Sequence, residues 1–204
     1  VDDYARAAAA IVGAPADVVA VEVNVSCPNH HARGEMFAHS VAGTEAVVGA
    51  VVEVVDRPVW AKLSPNVTDL VEIAAAAQRA GADAVTLVNT VMGMVIDIDA
   101  RAPVLGGRGG GLSGPAIHPV AVRAVWDVHA ALPDLPIVGV GGVTSGHDAV
   151  ELLMAGASAV QVGTASFADP RSVGRVAAEL TRWCRAHATT VGELLGCAHP
   201  GGSR

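Results

Sequence analysis

The sequence predicts an α/β fold of the (β/α)₈ TIM-barrel type, incomplete here, with about five β/α units visible. Short apolar runs alternate with longer Ala- and Val-rich stretches, as expected for parallel strands that are buried on both faces and covered by helices. Gly81–Val85 and Gly156–Val160 are matching helix-to-strand joints. A full barrel takes about 250 residues and eight strands. Either the sheet is open, or about three units are missing ahead of Val1.

The elements follow one another at regular spacing. Five apolar runs predict strands, at residues 18–24, 59–63, 84–89, 137–140 and 159–162. Capping residues and helical periodicity predict helices at 3–12, 44–55, 69–80, 117–132, 145–155 and 170–187. Residues 1–204 are interpreted as a single partial barrel domain. A short helical piece is expected at 191–195, within a tail over 188–204 that is expected to fray.

Composition and charge exclude several classes of function. Hydrophobic residues make up 51% of the chain but aromatic residues only 3%, so the core is expected to consist of Ala, Val, Leu and Ile. The formal net charge is -7 and no basic cluster is present, which argues against nucleic-acid binding. No uncharged apolar run of about 18 residues predicts a membrane span.

The three cysteines form no CxxC pair and no spacing typical of Cys and His metal ligands, so no metal site is predicted. An odd cysteine count, with no signal peptide recognised, favours a reducing cytoplasm.

Polar residues and glycines mark the ends of all five predicted strands. They are, in strand order, Asn24 with Cys27, Lys62, Asn89 with Thr90, Gly141 with Gly142, and Gly163 with Thr164. In a β/α barrel these positions share the C-terminal face, where the active site lies. The two glycine-bearing ends can direct backbone N–H groups at one phosphate. Alternatively, these glycines serve tight turns that need a positive φ.

Two side chains carry the candidate chemistry. Lys62 is the only lysine and lies on an apolar strand, where an inward ammonium is costly unless it meets an anion, from a cofactor or an acidic partner. The alternative is a strand-end lysine that reaches solvent. Cys27 lies between Asn24 and Asn29, whose carboxamides suggest a ligand to be hydrogen-bonded, although an isolated cysteine is more often a small core residue.

A Gly-rich stretch, residues 106–113, precedes Gly114 and Pro115. It is expected either to wrap a cofactor or act as a lid, or to be a flexible connector.

Taken together, the motifs resemble those of the dihydroorotate dehydrogenase family. Residues 24–29, Asn-Val-Ser-Cys-Pro-Asn, look like its active-site motif, and a cysteine at this place is similar to the class 1 enzymes. Val88-Asn89-Thr90 and the Gly-rich stretch resemble the NAD-linked class 1B catalytic subunit. Further motifs match in order and spacing, at residues 61–66, 110–117, 139–143 and 161–165.

The resemblance implies an FMN-dependent oxidation of dihydroorotate to orotate in pyrimidine (UMP) biosynthesis. Cys27 would be the base that removes the C5 proton, and the hydride would pass to FMN. The resemblance places Asn24 against both flavin and substrate. It assigns substrate contacts to Asn29, Asn89 and Thr90. It assigns FMN contacts to Lys62, Val88, Gly114, Gly141, Gly142, Gly163 and Thr164.

The same resemblance implies a homodimer or a heterotetramer. If NAD is the final acceptor, it also implies an electron-transfer subunit with FAD and an iron–sulfur centre. Two alternatives stay open. One is a related dihydropyrimidine dehydrogenase-like flavoprotein, although Asn29 favours the first reading. The other is a truncated, non-catalytic remnant, which the absence of the family's N-terminal strands would support.

Overall fold

The structure is a computed structural model that describes residues 1–13, 18–26, 37–107 and 109–201. Within these ranges nine strands are present: β1 Val21–Asn24, β2 Val59–Lys62, β3 Ala84–Leu87, β4 Val91–Gly93, β5 Ile96–Asp97, β6 Ala102–Pro103, β7 Gly110–Leu112, β8 Ile137–Val140 and β9 Ala159–Gln161. The α-helices are α1 Asp2–Ala9, α2 Val41–Val52, α3 Leu70–Arg79, α4 His118–Ala131, α5 Gly146–Met154, α6 Ala165–Ala168, α7 Ser172–Ala186 and α8 Val191–Leu194. Two 3₁₀ turns cover Phe37–His39 and Pro115–Ile117.

Five strands form one parallel sheet in the order β1-β2-β3-β8-β9. They are the five strands predicted from the apolar runs, which confirms the α/β class with five β/α units. Among the described residues the sheet does not close into a barrel. It is the partial wall of the barrel typical of this fold class.

Alternation along the strands separates a helix-facing side from a polar side. Val23, Ala61 and Val85 are buried and paired in register beneath the helices. The next register row holds Asn24, Lys62, Thr86 and Val138 on the opposite face. Because successive side chains of a strand point to opposite faces, this row places polar groups together on one side of the sheet.

Two of the helices that cover the sheet begin at side-chain caps that the sequence indicates. Asp69 accepts a hydrogen bond from the backbone N–H of Glu72 at the start of α3, and Ser145 forms a capping box with Asp148 at the start of α5. Such caps satisfy N–H groups that have no partner within the helix. None of the helices in the described ranges has both the length and the apolar character needed to cross a membrane.

The chain between β3 and α4 differs from the predicted loop. Strand β4 pairs antiparallel with β7, and β5 pairs with β6, so residues 110–112 of the Gly-rich stretch form a strand. These strands have two or three residues each, and β4 and β7 contain glycine, so they show no alternating pattern that a sequence could reveal. The segments that connect these strands carry exposed apolar side chains, among them Met94, Val95, Ile98 and Val104.

Residues 190–199 pack against α4 and the end of α5, and α8 corresponds to the short helical piece expected at 191–195. Thr190 forms a capping box with Glu193 at the start of α8. His199 stacks on Trp126 of α4 with ring centroids 3.7 Å apart, and its Nε2 donates to the carbonyl oxygen of Ala155 at 2.9 Å. These partners lie more than forty positions earlier in the chain, so local sequence could not indicate them.

Candidate functional site

A cavity lies where the strands of the parallel sheet end. It has a volume of about 140 Å³ and is partly open to solvent. Its lining includes nine of the residues assigned to the site from the sequence: Lys62, Val88, Asn89, Thr90, Gly114, Gly141, Gly142, Gly163 and Thr164. They come from four strand ends and one loop, and they meet because the carboxyl ends of parallel strands share one edge of a sheet.

The glycines at one end of the cavity are held in a shape that larger residues could not adopt. Gly142 has φ 68°, and a Cβ there would lie 2.8 Å from the carbonyl oxygen of Gly114. Gly163, by contrast, has open space where its Cβ would be. Within the described residues, the backbone N–H groups of Gly141, Gly142, Gly163 and Thr164 donate to no protein acceptor. This end therefore offers free N–H donors, which suit an anionic group such as a phosphate.

Lys62, which also lines the cavity, belongs to a polar network. Its Nζ lies 3.2 Å from Oε1 of Glu22 and 3.4 Å from Oε1 of Gln161. Glu22 accepts further hydrogen bonds at Oε2, from Thr86 Oγ1 at 2.7 Å and from Gln161 Nε2 at 2.9 Å. The anion that an inward lysine needs is thus supplied by an acidic side chain on β1.

The protonation of Glu22 follows from these contacts. Partial burial alone would raise the pKa of Glu22. The hydrogen bonds from Thr86 and Gln161, together with the charge of Lys62, outweigh burial and leave the pKa of Glu22 below its ordinary value. At neutral pH Glu22 is therefore a carboxylate, and it lies beside Lys62.

Carboxamides order the segment that contains Asn89 and Thr90. Asn89 Nδ2 donates to Asn24 Oδ1 at 3.2 Å, and Asn89 Oδ1 accepts from the N–H of Thr90 at 2.8 Å. Asn66 donates from Nδ2 to the carbonyl oxygen of Thr90 at 2.9 Å and accepts the N–H of Met92 at 2.8 Å. These bonds fix the orientation of the polar side chains that face the cavity.

Cys27 and Asn29 lie outside the described residues, and the chain is described up to Ser26. Asn24 is not part of the cavity lining, but its Oδ1 accepts the N–H of Ser26 at 3.0 Å. Ser26 is buried and donates from Oγ to the carbonyl oxygen of Lys62 at 3.0 Å. The segment that leads to Cys27 is therefore anchored beside the end of β2.

Four residues with evident roles around the site were not predicted as site residues: Glu22, Asn66, His118 and Gln161. Glu22 had a recognisable signal, since an acidic residue two positions before Asn24 in an apolar strand is costly unless it is paired. Buried His118 contacts the carbonyl oxygen of Gly141 through Nδ1 at 2.8 Å, and its Nε2 lies 3.2 Å from Oε2 of Glu151. No motif reveals this contact, because 23 positions separate His118 from Gly141.

The chain is similar to known proteins of one family. The family model described as "Dihydroorotate dehydrogenase" matches residues 1–183. A protein of Desulforudis audaxviator named "Dihydroorotate dehydrogenase B (NAD(+)), catalytic subunit" is 50% identical over 98% of this chain and 64% of its own length. Proteins with the same name from Geobacter sulfurreducens and Phocaeicola vulgatus are 50% and 43% identical, over 89% and 96% of this chain.

The chain spans about three fifths of the length of these relatives, with 64%, 59% and 64% of their residues covered. The family match covers nearly all of the chain, including every strand of the parallel sheet and the residues that line the cavity. On this match the chain belongs to the dihydroorotate dehydrogenase family.

Proposed function

We propose that this chain forms the FMN-binding catalytic part of a dihydroorotate dehydrogenase, which oxidises dihydroorotate to orotate in pyrimidine biosynthesis. The observation that carries the proposal is the convergence of separate sequence motifs on one cavity. Lys62, the Asn89–Thr90 pair and the glycines at two strand ends all line it. Membership of the family supports the same reaction.

The residues present fit FMN. The unpaired N–H groups of Gly141, Gly142, Gly163 and Thr164 suit the phosphate, and Gly163 leaves space for it. Lys62 also lines the cavity, and a cation there can stabilise negative charge on a reduced flavin ring. Val88 and Gly114 complete the proposed contacts. The cavity is smaller than the roughly 300–1,000 Å³ of typical ligand pockets, so part of the cofactor would extend along the open edge of the sheet.

The remaining proposed site residues act on the substrate. Cys27 is the proposed base for the C5 proton, and a thiolate has a suitable basicity for this step. Asn24, Asn29, Asn89 and Thr90 are proposed to bind the pyrimidine ring, since carboxamides and hydroxyls match its imide groups. FMN, when bound, supplies the hydride acceptor.

The names of the relatives bear on the proposed partners. They are catalytic subunits of NAD-linked enzymes, which implies a second subunit that passes electrons on. We propose that such a subunit carries FAD and an iron–sulfur centre. The assembly would be a homodimer of the catalytic chain or a heterotetramer that includes both subunits, and we propose that it works in the cytoplasm.

The visible spectrum of the purified protein that carries this sequence tests the proposal. We expect flavin absorption bands from the protein, with FMN released on denaturation. Anaerobic addition of dihydroorotate should bleach these bands and yield one orotate per flavin. Dihydrouracil and dihydrothymine, which would reduce the flavin of a dihydropyrimidine dehydrogenase, serve as controls and should leave the bands unbleached. A protein that takes up no FMN, or whose FMN is not reduced by dihydroorotate, would overturn the proposal.

A further inference from the structure

Glu22 links three strands of the parallel sheet beside the cavity, although it is not part of the lining. Its carboxylate accepts from Lys62 on β2, Thr86 on β3 and Gln161 on β9. Three strands therefore fix one carboxylate, and only 27% of the Glu22 side chain is exposed. This arrangement removes the carboxylate from most of its water, which has a cost in desolvation free energy.

The same contacts constrain Lys62. An ammonium has three N–H donors, and two of them are directed at Glu22 and Gln161. One donor is left without an acceptor among the described residues, and Lys62 lines the cavity. Gln161 contacts both members of the pair, since it accepts from Lys62 and donates to Glu22. Glu22 and Gln161 thus hold the amino group of Lys62 in place.

The pair also determines how much charge the cavity presents. A lone ammonium at Lys62 would offer a full positive charge to a bound ligand. With the Glu22 carboxylate 3.2 Å from Nζ, the net charge of the pair is zero, and the attraction for an anion is correspondingly weaker.

We propose that Glu22 is a positioning residue, which holds Lys62 against the cavity and attenuates its positive charge, and so keeps the reduction potential of the bound flavin low. This inference rests on the proposed function, because it requires FMN in the cavity. It assigns a role to Glu22 through Lys62, and no contact between Glu22 and the cofactor is needed.

The midpoint potential of the bound FMN, measured by reductive titration against reference dyes, tests this role independently of turnover. Glu22→Gln keeps the shape and the acceptor oxygen but removes the charge. We expect the equilibrium constant for two-electron reduction to rise at least tenfold, which is about 30 mV. Glu22→Asp, which withdraws the carboxylate from Lys62 by one methylene, should produce a smaller rise and serves if the glutamine variant does not fold.

The substitution Lys62→Met tests whether the effect of Glu22 depends on Lys62. If Glu22 acts through Lys62, then adding Glu22→Gln to Lys62→Met should raise that equilibrium constant clearly less than it does in the wild-type background, because only the direct effect of the Glu22 charge on the flavin remains. Glu45→Gln is the matched control, because Glu45 pairs with Arg79 on the surface of α2 and α3. This substitution should leave the potential of the flavin unchanged.

Each outcome has a distinct meaning. Flavin that binds with an unchanged potential in both Glu22 variants overturns this inference while the proposed function stands. A rise of equal size in the Lys62→Met background means that Glu22 acts on the flavin directly, which also overturns it. A wild-type protein that takes up no FMN overturns the proposed function and this inference together.

Discussion

Glu22 on β1 accepts a hydrogen bond from Gln161 on β9 over 2.9 Å, although these strands are the two outer strands of the five-stranded sheet. In a flat sheet, strands spaced about 4.8 Å apart would place the outer two roughly 19 Å from each other. Two side chains could not bridge that span. The sheet is therefore strongly curved, and its concave face brings Glu22, Lys62, Thr86 and Gln161 into one network.

The first prediction concerns the proposed base. Replacing Cys27 by alanine should leave the FMN content unchanged and lower the rate of flavin reduction by dihydroorotate at least about 100-fold, because general-base catalysis contributes 10²–10⁴-fold. Stopped-flow absorbance at the flavin band measures this rate.

Cys184→Ala is the matched control for that experiment. Cys184 is buried in α7, where its loss should affect stability only. If both cysteine variants reduce flavin at the wild-type rate, Cys27 is not the base.

The second prediction separates cofactor binding from folding. A methyl group added at Gly163 meets no protein atom within 4 Å, and Gly163 lines the cavity. Gly163→Ala should therefore unfold at the wild-type denaturant concentration but bind FMN at least about tenfold more weakly, a difference of roughly 1.4 kcal/mol. Fluorescence quenching of added FMN gives the dissociation constant.

Substitutions at two other glycines serve as controls for Gly163→Ala. Gly174 lies on the exposed surface of α7 with open space around it, so Gly174→Ala should stabilise the fold by about 0.5–1 kcal/mol without changing FMN affinity. Gly142→Ala should destabilise the fold by about 1–3 kcal/mol, because Gly142 has a positive φ and the carbonyl oxygen of Gly114 lies close to where a Cβ would be. Equal FMN affinity in wild type and Gly163→Ala would rule out a phosphate at this strand end.

The third prediction concerns acid stability. Asp148 accepts hydrogen bonds from Thr144 N, Thr144 Oγ1 and Ser145 N at 2.8–2.9 Å. Partial burial would raise the pKa of Asp148, but these bonds outweigh it and hold the pKa below the ordinary value of 3.8. The folded state therefore binds the proton more weakly than the unfolded state. The stabilisation is complete above pH 3.8 and is lost as the pH falls through the lower folded value.

Asp148→Asn should consequently cost about 1 kcal/mol at pH 7, the typical cost of a lost helix cap. The difference from wild type should shrink at pH 3, as measured by urea unfolding at both values. Asp127→Asn, which removes an exposed ion pair with Arg123, should cost less than about 0.5 kcal/mol at pH 7. A difference for Asp148→Asn that is as large at pH 3 as at pH 7 would contradict the argument.

Much of the site could be predicted because its residues follow recognisable strands. Buried parallel strands are apolar runs, so their ends are visible in the sequence, and Lys62, Asn89, Thr90 and the glycine pairs stand at those ends. The pairing of Lys62 with Glu22 could be foreseen only as the need for an anion. The identity of that anion depends on the register between β1 and β2 and on the curvature of the sheet, which brings Gln161 to the same carboxylate.

The class of fold, the five strands of the sheet, the glycine and carboxamide positions at their ends, and the resemblance to a family can all be recognised in the amino-acid sequence. These features are local, since each depends on periodicity, turn residues or short motifs. The antiparallel strands between β3 and α4, the docking of His199 on Trp126, and the charge balance between Glu22 and Lys62 become visible in the folded chain alone. These depend on contacts between residues far apart in the chain, where the partner is selected by packing and sheet curvature.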